Sequence, residues 1–570
     1  MKNQKNAPIN NSAQATAASQ EATNEKTDST TGQEQAPAKG GGLSYAKVIL
    51  DLAHDLTTTF HTPDGDSYAS VSGNGKLDNL KIRSRDFENW LRMIFYHHTR
   101  KALSRDALKK AVNQLEAEGK FDGPEIPVHI RYAEHDGAIY IDLFNKNLEQ
   151  VRITKDGWEV ISPENSPVKF IHPRGMKALP VPERNGSITQ LRDFLNIKNK
   201  NDFVLVVSWI LKAMKASGPH PIMTIQGEQG AAKTTASRLL RLLTDPSSVP
   251  TQALSRSERD LMISSRNSWV LNFDNVSEIK PAMADALCRI ATGSGFRTRT
   301  LRTDDCEELF NATRPGILNG IEEFVTRHDL ADRALIINLP DMPATKRKPE
   351  DVFWREFEAA CPRILGAFYD ALSMGLKNLD SVSFEELPRM ADFAKFIVAA
   401  EPALPWSKGL FMTAYESNRK DTVESALDGD VVSWAVIQMM NQRDTPWSGT
   451  PTELNIVLSE YAKQFGWKKS DWPKAPNAMS SRLKMVNSFL RKKGIIVQTR
   501  KSGNRIITIT RVEKPEEMAD QQSDEIIEEN DAHITDEYLT YELNAETAAF
   551  EKQFGSDGEE DAVEYEEGEI

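Results

Sequence analysis

The stretch "IQGEQGAAKTTASRLLRLL", residues 225–243, passes from an apolar run through a glycine loop into a Lys-Thr pair that opens a helix-period segment. Its spacing follows Gly-x-x-x-x-Gly-Lys-[Ser/Thr] through Gly227, Glu228, Gln229, Gly230, Ala231, Ala232, Lys233 and Thr234, with Ala232 where the last glycine stands. Backbone amides of such a loop, continued by Thr235 at the helix start, bind phosphate oxygens. A lysine at position 233 reaches the β and γ phosphates, and a threonine at 234 ligates magnesium. Ala232 adds one methyl group, which is tolerable if its backbone angles stay in an ordinary region. The motif is short, and a bare strand, turn and helix is the alternative until a second element decides.

Three further elements follow in order. "SWVLNFD" ends an apolar strand in Asp274, where a carboxylate would complete the magnesium shell. "RPGILNG" is a strand ending in the amide of Asn319, and "DLADRALII" offers Arg333 just before another strand. With "PIMTIQ" these runs are short, apolar and separated by helical patterns, as in a largely parallel α/β sheet. The expected cofactors are ATP and Mg2+, with Thr234 and Asp274 on the metal.

"GEQGAAKT", "WVLNFDNVS", "ATGSGFRTRTL", "RPGILNGIEE" and "LADRALIINLP" resemble the P-loop ATPases carried by phages and mobile elements. These are similar to superfamily 3 helicases and to the helicase part of phage-plasmid primases, all of the AAA+ class. The resemblance covers about residues 45–512, including "FHTPDG" and "VHIRYAEHDGAIYIDL". It implies a ring-forming, DNA-translocating ATPase used in replication of the element, with a hexamer as the family's assembly. By the same resemblance Lys233 and Thr234 match Walker A, Asp274 matches Walker B, and Asn319 matches the sensor that orients water. Arg333 is chosen as the finger that reaches a neighbouring subunit's ATP, ahead of Arg327. The catalytic set is thus Lys233, Asp274, Asn319 and Arg333. Asn275 stands where many relatives carry a second acid, and an amide cannot take a proton. Glu278 or Glu228 would have to substitute, or hydrolysis is slow.

Two regions suit DNA. "GFRTRTLR" carries Arg297, Arg299 and Arg302; alternate residues share one strand face. The resemblance implies a hairpin there that grips single-stranded DNA in the ring channel, although a short charge run is equally a solvated face. Further on, Met479, Leu483, Val486 and Leu490 recur at helical spacing and define a buried stripe. Arg482, Lys484 and Arg491 fall largely off it, and Lys492 and Lys493 close the helix. "IIVQT", a turn bearing Arg500 and Lys501, and "RIITIT" beginning at Arg505 follow. Helix, strand, basic turn and strand read as a winged helix set for duplex DNA, with a protein-binding winged helix as the alternative.

Composition bounds the rest. A chain of 570 residues with 39% hydrophobic content has room for several cored domains. It shows no membrane-length apolar run and no export signal, so a cytoplasmic protein without membrane contact is expected. Cys288, Cys306 and Cys361 stand apart and read as reduced thiols. Residues 513–570 hold 22 acidic side chains against two lysines, a charge of -20 within the total of -13, which leaves +7 on residues 1–512. Asp136 and Asp142 beside His135 could suggest a primase-like metal site, but a hairpin around the Asp-Gly pair is the simpler reading, with a second at 156–157.

The expected fold class is α/β: an AAA+, superfamily 3-like P-loop ATPase core with an α+β N-terminal domain and a C-terminal winged helix. Its expected parts are a disordered 1–43, an α+β accessory domain at 44–182, the ATPase at 183–377 and a helical region at 378–430. The winged helix occupies 431–512 and a disordered acidic tail 513–570. The expected function is an ATP-dependent DNA helicase or translocase in replication of a phage or mobile element. An ATP-controlled initiator or switch, and a primase-helicase, are the alternatives.

Overall fold

The computed structural model describes residues 44–512, apart from 74–75, 294–295, 300–306, 311–312, 322–323, 326, 344, 346, 429, 465–471, 474 and 503. The two segments expected to be disordered, 1–43 and 513–570, lie outside the described residues, as do Arg302 and Cys306.

Serines punctuate the first unit. Ser44, Ser84 and Ser104 each accept a first-turn amide, which satisfies one orphan donor and starts a helix. These caps open α1 (Tyr45–Leu56), α2 (Arg85–Thr99) and α3 (Arg105–Phe121). Between α1 and α2 run β1 (Thr57–His61), β2 (Ser67–Gly73) and β3 (Lys76–Lys81), an antiparallel sheet. Ile49, Trp90, Phe95 and Leu115 from the helices bury Ala69 and Val71 of the sheet in a core of their own.

Next come β4 (Val128–His129), β5 (Tyr132–His135), β6 (Ala138–Asp142), β7 (Gln150–Thr154), β8 (Gly157–Ile161) and β9 (Lys169–Phe170). β5 to β8 form an antiparallel meander, while β4 and β9 pair in parallel. Asp136 and Gly137, both at positive φ (48° and 73°), make the two-residue turn between β5 and β6. The second turn differs from its expectation by one residue. Thr154 pairs with Gly157, so Lys155 and Asp156 form the bend and Gly157 already belongs to β8.

The middle of the chain holds α4 (Lys200–Ala213), β10 (Ile222–Gln226), α5 (Lys233–Thr244), α6 (Glu258–Asn267), β11 (Leu271–Phe273) and α7 (Pro281–Thr292). It continues with β12 (Phe296–Arg299), β13 (Glu307–Phe310), β14 (Gly316–Asn319), α8 (His328–Ala331) and β15 (Ala334–Asn338). Three helices close it: α9 (Glu350–Asn378), α10 (Ala391–Ala400) and α11 (Leu410–Asp428). Four strands form one parallel sheet in the order β11-β14-β10-β15. β10 lies inside it and is buried at every residue, Thr224 and Gln226 included, which is why its sequence shows no alternation of apolar and polar residues. β12 and β13 make a separate antiparallel ribbon.

The boundary expected at 182 does not coincide with a break in packing. Ile139, Val151 and Trp158 of the meander share one core with Trp209 of α4, Ile225 of β10 and Phe368 of α9. Trp158 donates to Asp370 and Ser373 to the carbonyl of Thr154, at 2.8 and 2.7 Å. Much of the meander therefore packs with the parallel sheet, whereas residues 45–121 keep a core of their own.

The last unit comprises α12 (Val431–Asn441), β16 (Trp447–Gly449), α13 (Pro451–Gln464), α14 (Pro476–Lys492), β17 (Ile495–Ser502) and β18 (Asn504–Arg511). Its antiparallel sheet has the order β16-β18-β17. Met479, Leu483, Val486 and Leu490 are all buried against α12, α13 and the sheet.

Candidate functional site

At the carboxyl end of β10 the chain turns through Gly227 (φ 148°) and Gly230 (φ 92°) into α5. A Cβ on Gly227 would meet the carbonyl of Leu339 at 2.6 Å, so no larger residue fits there. Ala232, the N-cap of α5, sits at φ 66° and ψ 30°. The condition of ordinary angles is not met: the residue is left-handed, a conformation that costs an L-residue roughly 1–2 kcal/mol and glycine nothing. Alanine offers no side-chain acceptor, so the first turn of α5 is uncapped, unlike the serine-capped helices elsewhere.

Lys233 Nζ donates to the carbonyls of Gly227 (2.9 Å) and Glu228 (2.8 Å). Partial burial draws its pKa below that of an ordinary lysine, with Asp274 acting in the opposite sense. Thr234 Oγ1 donates to Asp274 Oδ1 at 3.1 Å. Asn319, 1% exposed, uses both ends of its amide internally. Its oxygen accepts the backbone N–H of Asn275, and its nitrogen donates to Ser237 Oγ. Asn275 has φ 56°, and its neighbour Val276 donates to the Asn319 carbonyl at 2.8 Å. The ends of β11 and β14 are thereby fixed beside the start of α5. Glu228 and Glu278 are exposed, and Glu228 meets this group of residues through its backbone carbonyl, which accepts from Lys233.

Beside the loop opens a cleft of about 640 Å³, lined by Ala232, Thr235 and Arg238 of α5, by 192–198, and by Asp341, Arg347, Lys348, Glu350 and Trp354. Arg238 bonds Glu350 at 2.7 Å and lies 4.8 Å from the Trp354 ring centre. Arg347 Nη2 comes within 3.5 Å of where a Gly230 Cβ would stand. Sequence reasoning missed these residues, although the basic run "KRK" at 346–348 just before a helix was a usable signal.

Arg333 precedes β15, and its carbonyl accepts from Ile222 N at the opposite end of β10 from the glycine loop. Its guanidinium bonds the Asp329 carbonyl at 2.7 Å, whereas Arg327 pairs with Asp285 and Asp329. Among the expected DNA contacts, Arg297 and Arg299 lie in β12, and Arg302 is outside the described residues. Lys484, Arg491, Lys493 and Arg500 are exposed, Arg505 is half-buried, and Lys492 and Lys501 are placed only by their backbones in α14 and β17. Arg482 is engaged: its Nε donates to Asp430, the buried N-cap of α12, at 2.6 Å. Asp136 and Asp142 do not converge, because Asp136 is exposed at the turn while Asp142 is buried at the far end of β6. Among the described residues, no group of three metal-ligating side chains exists and no helix is long and apolar enough to cross a membrane.

Residues 188–421 match the model of the actinomycete integrative conjugative element replication protein, and residues 432–524 match that of the RepA C-terminal domain of such elements. The chain is a replication protein of a mobile element. The first match takes in the glycine loop, Asp274, Asn319 and Arg333 of the replication protein, and the second takes in α14 with β17 and β18. No curated protein matches it. Among solved structures, the A-form apo structure of the NrS-1 C-terminal region is 11% identical, covering 82% of this chain and 99% of that one, with a TM-score of 0.37. A second A-form apo structure of that region is 10% identical over the same shares, with a TM-score of 0.32. At these scores the likeness bears on neither fold nor function.

Proposed function

We propose that this replication protein is a magnesium-dependent ATPase of the AAA+, superfamily 3-like kind that moves along or unwinds DNA. The observation that carries the reading is the pairing of Thr234 with Asp274 beside an uncapped helix start and a lysine held on loop carbonyls. A hydroxyl and a carboxylate are the hard oxygen donors that magnesium takes. Uncapped first-turn amides and an ammonium group are the donors that a polyphosphate takes. The residues therefore fit both groups, and the neighbouring cleft has room for a base. ATP supplies the phosphoanhydride whose cleavage drives movement. Lys233 would exchange its two carbonyl partners for phosphate oxygens, Thr234 and Asp274 would hold the metal, and Asn319 would keep the strand ends in register. Arg333, remote from its own loop, would serve only a neighbour's site, which favours a head-to-tail ring such as a hexamer. Single-stranded DNA would occupy the channel near β12 and β13. Duplex DNA would meet α14 and the β17–β18 turn, a helix and wing in the winged-helix manner.

Steady-state ATPase assays with and without single-stranded DNA test this directly. Lys233→Ala should abolish stimulated turnover and unwinding of a forked duplex; a variant that keeps both overturns the motor.

One observation favours a second reading, an ATP-controlled initiator or switch. Asn275 follows Asp274 with no proton-accepting group, and the alternatives, the side chains of Glu228 and Glu278, are exposed. Under that reading native protein binds ATP but turns it over slowly, and Asn275→Asp accelerates it.

A further inference from the structure

The surface at the α2–α3 corner is unlike the rest of the first unit. Between Glu88 and Asp106 the chain has no acidic residue and carries Arg92, Arg100, Lys101 and Arg105 with His97 and His98. Two large aromatics stand out of this corner: Tyr96 is 52% exposed and Tyr45, at the start of α1, is 42% exposed. They lie on the same corner, because Tyr45 packs edge-on against Phe95, the residue before Tyr96, at 5.4 Å between ring centres. Each carries a cation over its ring, Arg100 on Tyr96 at 5.7 Å and Lys101 on Tyr45 at 5.9 Å. The ion pairs at this corner among the described residues, Arg92–Glu88 and Lys110–Asp106, involve neither cation.

The backbone gives an independent sign. Arg100 is the C-cap of α2 at φ 58° and ψ 21°, donating its N–H to the Tyr96 carbonyl. Glycine or asparagine is the low-cost residue at such a left-handed cap, and an arginine is strained there. Fold stability does not explain the choice, whereas a use for the guanidinium beside Tyr96 does. A solvated helix end needs neither two exposed rings nor a strained cation between them.

Exposed aromatic faces flanked by unpaired cations are the elements that hold single strands: bases stack on the rings while the cations follow the phosphates. A duplex hides its base faces and would leave both tyrosines without a role. We propose that the Tyr45–Tyr96 corner, with Arg100 and Lys101, is a binding platform for single-stranded nucleic acid. It lies in the 45–121 unit, apart from the glycine loop and from α14, and does not depend on the nucleotide reading.

The test is fluorescence anisotropy of the full chain, without nucleotide, on labelled oligothymidylate of about 16 nucleotides. Tyr96→Ala should weaken binding about tenfold, while Tyr96→Phe, which keeps the ring, should not. Arg100→Gly combined with Lys101→Ala should lower the salt dependence by about 1.4 in log–log slope. Glycine suits the left-handed cap, so loss of binding in that variant is not loss of fold. Affinity for a duplex of equal length should be unchanged in all three. As a second measurement, photocrosslinking of a bromouracil oligonucleotide to native protein should mark Tyr45 or Tyr96. Unchanged affinity and slope, an equal loss on the duplex, or crosslinks confined to other units would overturn the platform. So would variants that lose self-association but bind the oligonucleotide normally, which would make the corner a contact between copies.

Discussion

Thr234 and Asp274 are 40 positions apart in the chain, yet the threonine hydroxyl donates to the carboxylate across 3.1 Å. The parallel sheet makes this meeting, because β10 and β11 both end at the edge where α5 begins. If the pair holds a metal, Thr234→Val and Asp274→Asn should each lower magnesium-dependent ATPase activity on the order of a hundredfold. Both should leave the far-ultraviolet circular dichroism unchanged. Activity within twofold of native in either variant sinks the assignment.

Ala232 occupies a left-handed position that glycine adopts without strain. Ala232→Gly should relieve that strain, partly offset by the freer unfolded chain, for a net gain of up to about 1 kcal/mol. Denaturant titration reads it directly. A destabilised variant would mean that the methyl group makes contacts worth more than the strain.

Asp245, at the end of α5, is 2% exposed and fully engaged. It accepts from the backbones of Trp269 (3.0 Å) and Val270 (3.1 Å) and pairs with Arg131 and Arg241. Removing it strands Arg131, which is 0% exposed. Asp245→Ala should cost about 3–5 kcal/mol, seen as a lower denaturation midpoint.

His172 joins the first unit to the meander, with Nδ1 2.8 Å from Asp78 and Nε2 3.1 Å from Asp142. Burial opposes its charge, but the two carboxylates prevail and hold its pKa at about 9. A raised folded value means stability that is fully present below about 6.5 and lost as pH rises through about 9. The amount is on the order of 3 kcal/mol. His172→Gln should remove that slope between pH 6.5 and 9; melting curves for both proteins that stay parallel across the window count against it.

In α14, neighbours in sequence should separate by role. Arg482 is tied to buried Asp430, so Arg482→Ala should lower stability by about 1–3 kcal/mol. Exposed Lys484 has no such tie among the described residues, and Lys484→Ala should keep stability while reducing the salt slope of duplex binding by about 0.9.

Much of this was legible in the residues. The mostly apolar runs at 222–226, 271–273, 316–319 and 334–338 are strands whose residues are buried apart from half-buried Ile336 and exposed Asn338, which leaves a near-continuous hydrophobic signature. The spacing of Met479, Leu483, Val486 and Leu490 marked the buried stripe of α14. What failed was non-local. Trp158 meets Asp370 across more than two hundred positions, and no pattern near either residue announces it. Residue type at 232 likewise says nothing of φ, and the inward turn of the Asn319 amide depends on Ser237 and Asn275 arriving beside it.

α5 is fastened at its far end as well as at the loop. Tyr132 donates its hydroxyl to the Thr244 carbonyl at 2.6 Å, and Asp245 clamps the following turn. Twelve residues make a rod of about 18 Å between Lys233 and that anchorage. The loop and the antiparallel meander are thus joined through one rigid helix, and His172 in turn links the meander to β3 of the first unit. If the loop takes a nucleotide as proposed, that linkage gives its loading a route to the amino-terminal sheet.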